Sequence, residues 1–245
     1  MHYSPTSEEV RTATKALISA LKVLGLHCCL VGSVACSSHG TSRTPNDIDM
    51  VVLGSVWTQE ELKRQVVTTD ANFYTVASKD PYATYRVLFY RLPEPEYSYS
   101  SSSTLRSSYS SSTRSYYTSY RSRKSCKVDL LLPGIMNIPP VPKYRIYTDK
   151  RFQPLMPFLP LLLLKLQAWQ DHGESSKDYM RRKQPTDVAD ITELLNLAVT
   201  KYPSVNLEKD ALWLPESFVE AAKTRVRRFI RQYSYTKKHW ERLGF

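Results

Sequence analysis

Cysteine is scarce in this chain of 245 residues, and the four present, Cys28, Cys29, Cys36 and Cys126, show no C-x2-C or similar pair spaced to grip a metal. Three of them cluster around one apolar segment and read as buried free thiols, which fits a reducing compartment. A long apolar run is missing as well. The nearest approach, "LMPFLPLLLLKLQAW", is short and is broken by Pro157, Pro160 and Lys165, so no membrane span is expected. The opening residues, "MHYSPTSEEVRTATKAL", lack both an apolar export core and an Arg-rich, acid-poor transit pattern. The expectation is a soluble intracellular protein, cytoplasmic or nuclear. Neither G-x-x-x-x-G-K-[ST] nor G-x-G-x-x-G occurs, which disfavours P-loop and Rossmann nucleotide binding, and no internal repeat is visible.

What the chain does have is positive charge. Lys and Arg number 34 against 23 Asp and Glu, a formal net charge of +11, which suits a polyanionic partner. Capping-box pairs at Thr6/Glu9 and Thr58/Glu61 predict helices over about 7–25 and 59–67. "CCLV", "DIDMVVL", "FYTVAS", "TYRVLFYRL" and "KVDLLL" read as strands, with a helical turn over Ser33–His39. Between the last two strands lies residues 97–125, in which 14 of 29 residues are serine, six tyrosine, five basic and none acidic. So few aliphatic side chains cannot offset the entropy of ordering, and this insert is expected to be disordered. With it set aside, the flanking strands form an antiparallel hairpin. After Pro142 the pattern turns helical, over about 157–171, 186–199 and 214–232. Two domains follow, residues 1–141 with an α/β fold and 142–245 with a basic α-helical one.

The chemistry is concentrated between Cys28 and Leu53, in "CCLVGSVACSSHGTSRTPNDIDMVVL". Residues i and i+2 of a strand share a face, so Asp47 and Asp49 project together while Ile48 and Met50 enter the core. Paired carboxylates repel one another unless a cation bridges them. Oxygen ligands without nearby His or Cys favour Mg2+ over zinc. Asp129, the only acid in a strongly apolar strand, is the natural third member. Gly32 and Ser33, at a strand end that opens a helical turn, place backbone amides and a hydroxyl where a triphosphate can bind.

Together these residues resemble the signature of the DNA polymerase β-type nucleotidyltransferase superfamily, h-G-[GS]-x(n)-D-h-[DE]-h, and most of all its minimal and AbiE-type toxin members. The match is close over residues 28–53 and looser over 127–132. The resemblance implies a small mixed-sheet core followed by helices. It implies two Mg2+ ions on Asp47 and Asp49, with Asp129 completing the shell and helping to activate the acceptor hydroxyl. Gly32 and Ser33 would take the β- and γ-phosphates of an NTP, and pyrophosphate would leave. Arg43 either reaches a phosphate or neutralises the nearby acids. Lys165 is either a phosphate contact or a lysine snorkelling from a helix flank. Asp187 and Asp190 fall near a toxin motif in which Thr186 replaces a lysine, and equally suit the first turn of a helix. His39 is expected to pack the turn.

For the acceptor, RNA is favoured, with a tRNA 3′ end as one form. Arg225, Arg227, Arg228 and Arg231 cluster on the last long helix, and the insert interleaves Tyr with Arg. Alternatives are a non-catalytic RNA-binding protein on the same scaffold, NMP transfer to a protein or small-molecule hydroxyl, and a toxin-like role. Which NTP is used and the oligomeric state stay open.

Overall fold

The computed structural model describes residues 3–93 and 124–245. The chain begins with α1 (Ser7–Val23), β1 (His27–Val31), α2 (Gly32–His39), β2 (Asp47–Leu53), α3 (Gln59–Thr69), β3 (Phe73–Ala77), β4 (Arg86–Arg91) and β5 (Ser125–Leu131). It continues with β6 (Tyr147–Thr148), β7 (Pro154–Leu155), α4 (Phe158–Glu174), α5 (Asp178–Arg181), α6 (Gln184–Thr200), α7 (Leu207–Ala211), α8 (Glu216–Gln232) and α9 (Lys237–Arg242). The strands form one mixed sheet in the order β3-β4-β5-β2-β1-β7-β6. Antiparallel pairs join β1 to β2, β3 to β4, β4 to β5 and β6 to β7, whereas β2–β5 and β1–β7 run parallel.

Local chemistry explains most of these elements. Both capping boxes form: Thr6 and Thr58 accept from the Glu9 and Glu61 amides, and each glutamate returns to its cap backbone. On α1, Val10, Ala13, Leu17, Ala20 and Leu21 make the buried stripe, and α1 packs with α3 against the sheet. β2 and β5 bury alternate residues, Ile48 and Met50 on one, Val128 and Leu130 on the other, which leaves their acids together on the opposite face. Helix α4 is buried on nearly every side through Phe158, Leu159, Leu161, Leu162, Leu163, Leu166 and Trp169, so it is the central helix of the second half, packed by α6 and α8.

Several expectations shift at their edges. The β4–β5 hairpin forms, and β5 begins earlier than "KVDLLL", because Ser125 pairs with Arg91 and Leu92 donates to the Lys124 carbonyl. The predicted insert over residues 97–125 otherwise lies outside the described residues. The two-residue strands β6 and β7 were not anticipated. Past Pro142 the chain returns to the sheet before it becomes helical, with Leu155 beside Leu30. So short a pairing carries no periodic signal that sequence alone could reveal. Among the described residues, no helix is long and apolar enough to cross a membrane.

Candidate active site

The site starts from a register. In the parallel β2–β5 pair, Asp49 lies opposite Asp129 and Asp47 opposite Lys127, so all four side chains share one face. Carboxylate oxygens of Asp47, Asp49 and Asp129 lie within 4.8 Å of one another. All three residues are half-buried, and hard oxygen donors at this spacing suit a divalent ion such as Mg2+. The Lys127 ammonium binds the Asp129 carboxylate and brings a positive charge to the cluster. Sequence reasoning passed over Lys127, although its K-V-D spacing to Asp129 is the same i, i+2 signal that paired Asp47 with Asp49.

Antiparallel β1–β2 pairing sets Val31 beside Asp49, which brings the β1–α2 turn against the acids. Ser33 donates its hydroxyl to Asp47 Oδ1 at 3.3 Å. Gly32 adopts φ +61°, and a Cβ there would lie 1.9 Å from Asp49 Oδ2 and 2.7 Å from its carboxyl carbon. Glycine is therefore required both by the left-handed backbone and by the closeness of the carboxylate. Gly32→Ala should destabilise the fold by about 1–2 kcal/mol from the backbone alone. Urea unfolding measures that cost, and displacement of Asp49 should appear as weakened Mn2+ binding by calorimetry.

Burial, then the charges of Asp47 and Asp129, push the Asp49 carboxyl up to about 7. The folded protein thus holds a proton that an unfolded aspartate, titrating near ~3.9, releases earlier. Protonation favours the folded state, so stability falls as pH rises from about 4 through 7. In EDTA the melting temperature should be lower at pH 8 than at pH 5, by on the order of 5 °C. Asp49→Asn should narrow that difference, and an equal pH dependence in both proteins would refute the assignment.

Arg43 and Lys165, read as phosphate contacts or, alternatively, as a neutraliser of nearby acids and a lysine on a helix flank, meet at Asp190. Arg43 donates from Nε and Nη2 to the two Asp190 oxygens, each at 2.9 Å, and Lys165 Nζ reaches Oδ2 at 2.8 Å. Burial works against the Asp190 charge, but Arg43 and Lys165 outweigh it and hold the carboxyl below its usual range. Burial opposes the Lys165 charge too, and Cys36 and Asp190 hold its ammonium above the ordinary range. Cys36 itself is pushed up to about 12 by burial and is neutral at pH 7, so Asp190 is the effective partner. One turn earlier on α6, Asp187 binds His172 Nδ1 at 2.5 Å, and burial raises its carboxyl above the usual range. Asp187 lies in the first turn of α6, as one reading had it, Asp190 stands one turn further, and both are buried, facing α4 through His172 and Lys165.

His39 packs as expected. It is buried, its Nδ1 lies 2.9 Å from the Tyr202 hydroxyl, and burial lowers its pKa to about 4. The arginines of α8 are split. Arg225 bonds Gln170 and Arg228, itself exposed, pairs with Glu174, both on α4, whereas Arg227 donates to Thr224 of its own helix and Arg231 is exposed. All four cysteines are buried free thiols.

No protein-family model matches this chain. No curated protein matches it at the sequence level. Among solved structures it is similar to the crystal structure of an antigenic nucleotidyltransferase-like protein from Paracoccidioides brasiliensis, with a TM-score of 0.62 and 14% identity. The match covers 98% of this chain and 95% of the other. At that identity the likeness is one of fold. The chain therefore has a nucleotidyltransferase-like fold, a mixed α/β core followed by C-terminal helices, with three acids gathered beside its Gly-Ser turn.

Proposed function

We propose that the protein is a magnesium-dependent nucleotidyltransferase that moves an NMP from an NTP to a hydroxyl of RNA and releases pyrophosphate. The observation that carries this reading is the register of Asp49 with Asp129 beside Asp47 and the Gly32–Ser33 turn, on a nucleotidyltransferase-like fold. When bound, two Mg2+ ions would neutralise the triphosphate and stabilise the attacking and leaving oxygens of an in-line displacement. Asp47 and Asp49 would hold both ions, and Asp129 would hold one and take up the proton that the acceptor hydroxyl loses. The acceptor oxygen bonds to the α-phosphorus as the bond to the bridging oxygen breaks. The β- and γ-phosphates would meet the first amides of α2, whose N-cap Val31 offers them no side-chain acceptor, and Gly32 lets that turn approach the Asp49 carboxylate closely. Asp190 occupies Nε and Nη2 of Arg43, so Nη1 is the nitrogen offered to a phosphate. Lys165 serves by holding Asp190 in place.

Membership among the minimal or AbiE-type enzymes belongs to the same proposal and rests on "GSVACSSHGTSRTPNDID". The test is transfer of label from each of the four α-labelled NTPs with Mg2+, offering total RNA and whole-cell protein as acceptors. Label on RNA with the wild type and none with Asp47→Asn supports the reading. Label on protein would replace the acceptor. No transfer to either, with RNA still bound, would indicate a binding protein on this scaffold.

A further inference from the structure

The outer edge of the sheet, residues 143–153 with the sequence "KYRIYTDKRFQ", has no part in the site just described. It crosses from β6 to β7 and exposes aromatic rings between cations: Tyr144 is 79% exposed, Tyr147 48% and Phe152 86%. Lys143, Arg145, Lys150 and Arg151 are exposed beside them. The segment's one acid, Asp149, is engaged by its own turn, its Oδ1 accepting from the Arg151 and Gln153 amides at 2.9 and 2.8 Å. Phe152 holds φ +60°, an uncommon conformation for an aromatic residue, yet its ring is exposed to water. Folding gains little from such a side chain, whereas a ligand that stacks would gain from it. Tyr147 lies against His39 with ring centroids 6.0 Å apart and planes at 25°.

Between this edge and α1 lies an open cleft of about 420 Å³, with Ile18, Leu26, Ile146 and Pro154 in its lining and Lys22 and Lys143 among its walls. Tyr144 and Phe152, exposed among cations beside an apolar cleft bordered by lysines, match what a single nucleic-acid strand requires, π-faces for its bases and charge for its backbone, whereas Tyr147 is turned to His39 on the side away from the cleft. Duplex recognition would need an element shaped for a groove, which these short strands do not provide. Leu155 of β7 pairs with Leu30, two residues before Gly32. At ordinary strand spacing β6 lies about 10 Å across the sheet from Leu30. We infer that the β6–β7 edge and the adjoining cleft dock a single-stranded RNA. It rests on the proposed function only in taking that RNA to be the acceptor.

The test is fluorescence anisotropy of a labelled single-stranded oligoadenylate with the full chain, across a salt series and without NTP. Phe152→Ala and Tyr144→Ala should each weaken binding about tenfold, and Phe152→Trp should retain it. Lys150→Glu with Arg151→Glu should flatten the slope of log K against log salt by about 1.4. Phe152→Gly should show an unchanged or raised melting temperature together with weaker binding, which separates stacking from folding. Several results would overturn the proposal: no binding by the wild type at low salt, or binding to phosphatidylserine vesicles in place of RNA. So would edge variants that bind like the wild type while Arg227→Glu with Arg231→Glu abolishes binding. RNA binding carried by α8, with Asp47-dependent transfer intact, would sink this surface and leave the function standing. Edge-dependent binding without transfer to any acceptor would do the reverse.

Discussion

Asp49→Asn should reduce nucleotidyl transfer by roughly a thousandfold or more, because it removes an anionic ligand from the position where charge develops. The same substitution should raise the melting temperature of the metal-free protein at pH 8. Asp49 lies between Asp47 and Asp129, and its carboxyl is pushed up to about 7, so its ionised form is a cost the fold carries without a cation. Mg2+ or Mn2+ at about a hundred times its dissociation constant should stabilise the wild type by about 2.7 kcal/mol. That increment should disappear in Asp49→Asn. Thermal unfolding with and without the ion, beside the label-transfer assay, reads both effects. A variant that loses transfer while keeping the full metal-induced shift would show that the ion binds elsewhere.

The second large effect is on stability. Asp190→Ala should destabilise the protein by about 3–5 kcal/mol, the range for removing one partner from a buried ion pair. The Asp190 side chain is 2% exposed, and it satisfies Lys165, itself 10% exposed, and Arg43 at once. Without it the Lys165 ammonium would be left nearly buried and unpaired. Arg43→Ala should cost much less, about 1 kcal/mol, because that guanidinium is one-third exposed and its loss leaves the Lys165–Asp190 pair intact. Urea unfolding of the two variants side by side makes the comparison, and equal losses would refute the account. The bond spans 25 residues to Lys165 and 147 to Arg43, so Asp190 ties the C-terminal helices to the loop before β2.

How much of this was legible depended on the range of the physics involved. Capping boxes act over four residues, and strand alternation over two, so α1, α3 and the shared face of Asp47 and Asp49 could be read directly. Lys127 carries the same local signal, but a lysine in a strand also has an ordinary solvent-facing explanation, and only its contact with Asp129 distinguishes the two. Lys165 stood out as a charge in an apolar helix pattern and Asp190 as part of "TDVAD", but no local periodicity indicated that the two side chains would meet. The strands β6 and β7 hold two residues each, too few to show a period.

By itself, the sequence determined the strand–turn–strand unit that carries Gly32, Ser33, Asp47 and Asp49, because those positions depend on backbone conformation and side-chain alternation over a few residues. It also made Asp129 a candidate, as an acid in an apolar strand. Only the tertiary structure decided that Asp129 stands opposite Asp49, since parallel register is set by the packing of a whole sheet and a slip of one residue would turn the side chain away. Only the tertiary structure decided that Arg43 and Lys165 converge on Asp190, because a buried charge takes whichever partner the fold brings within reach.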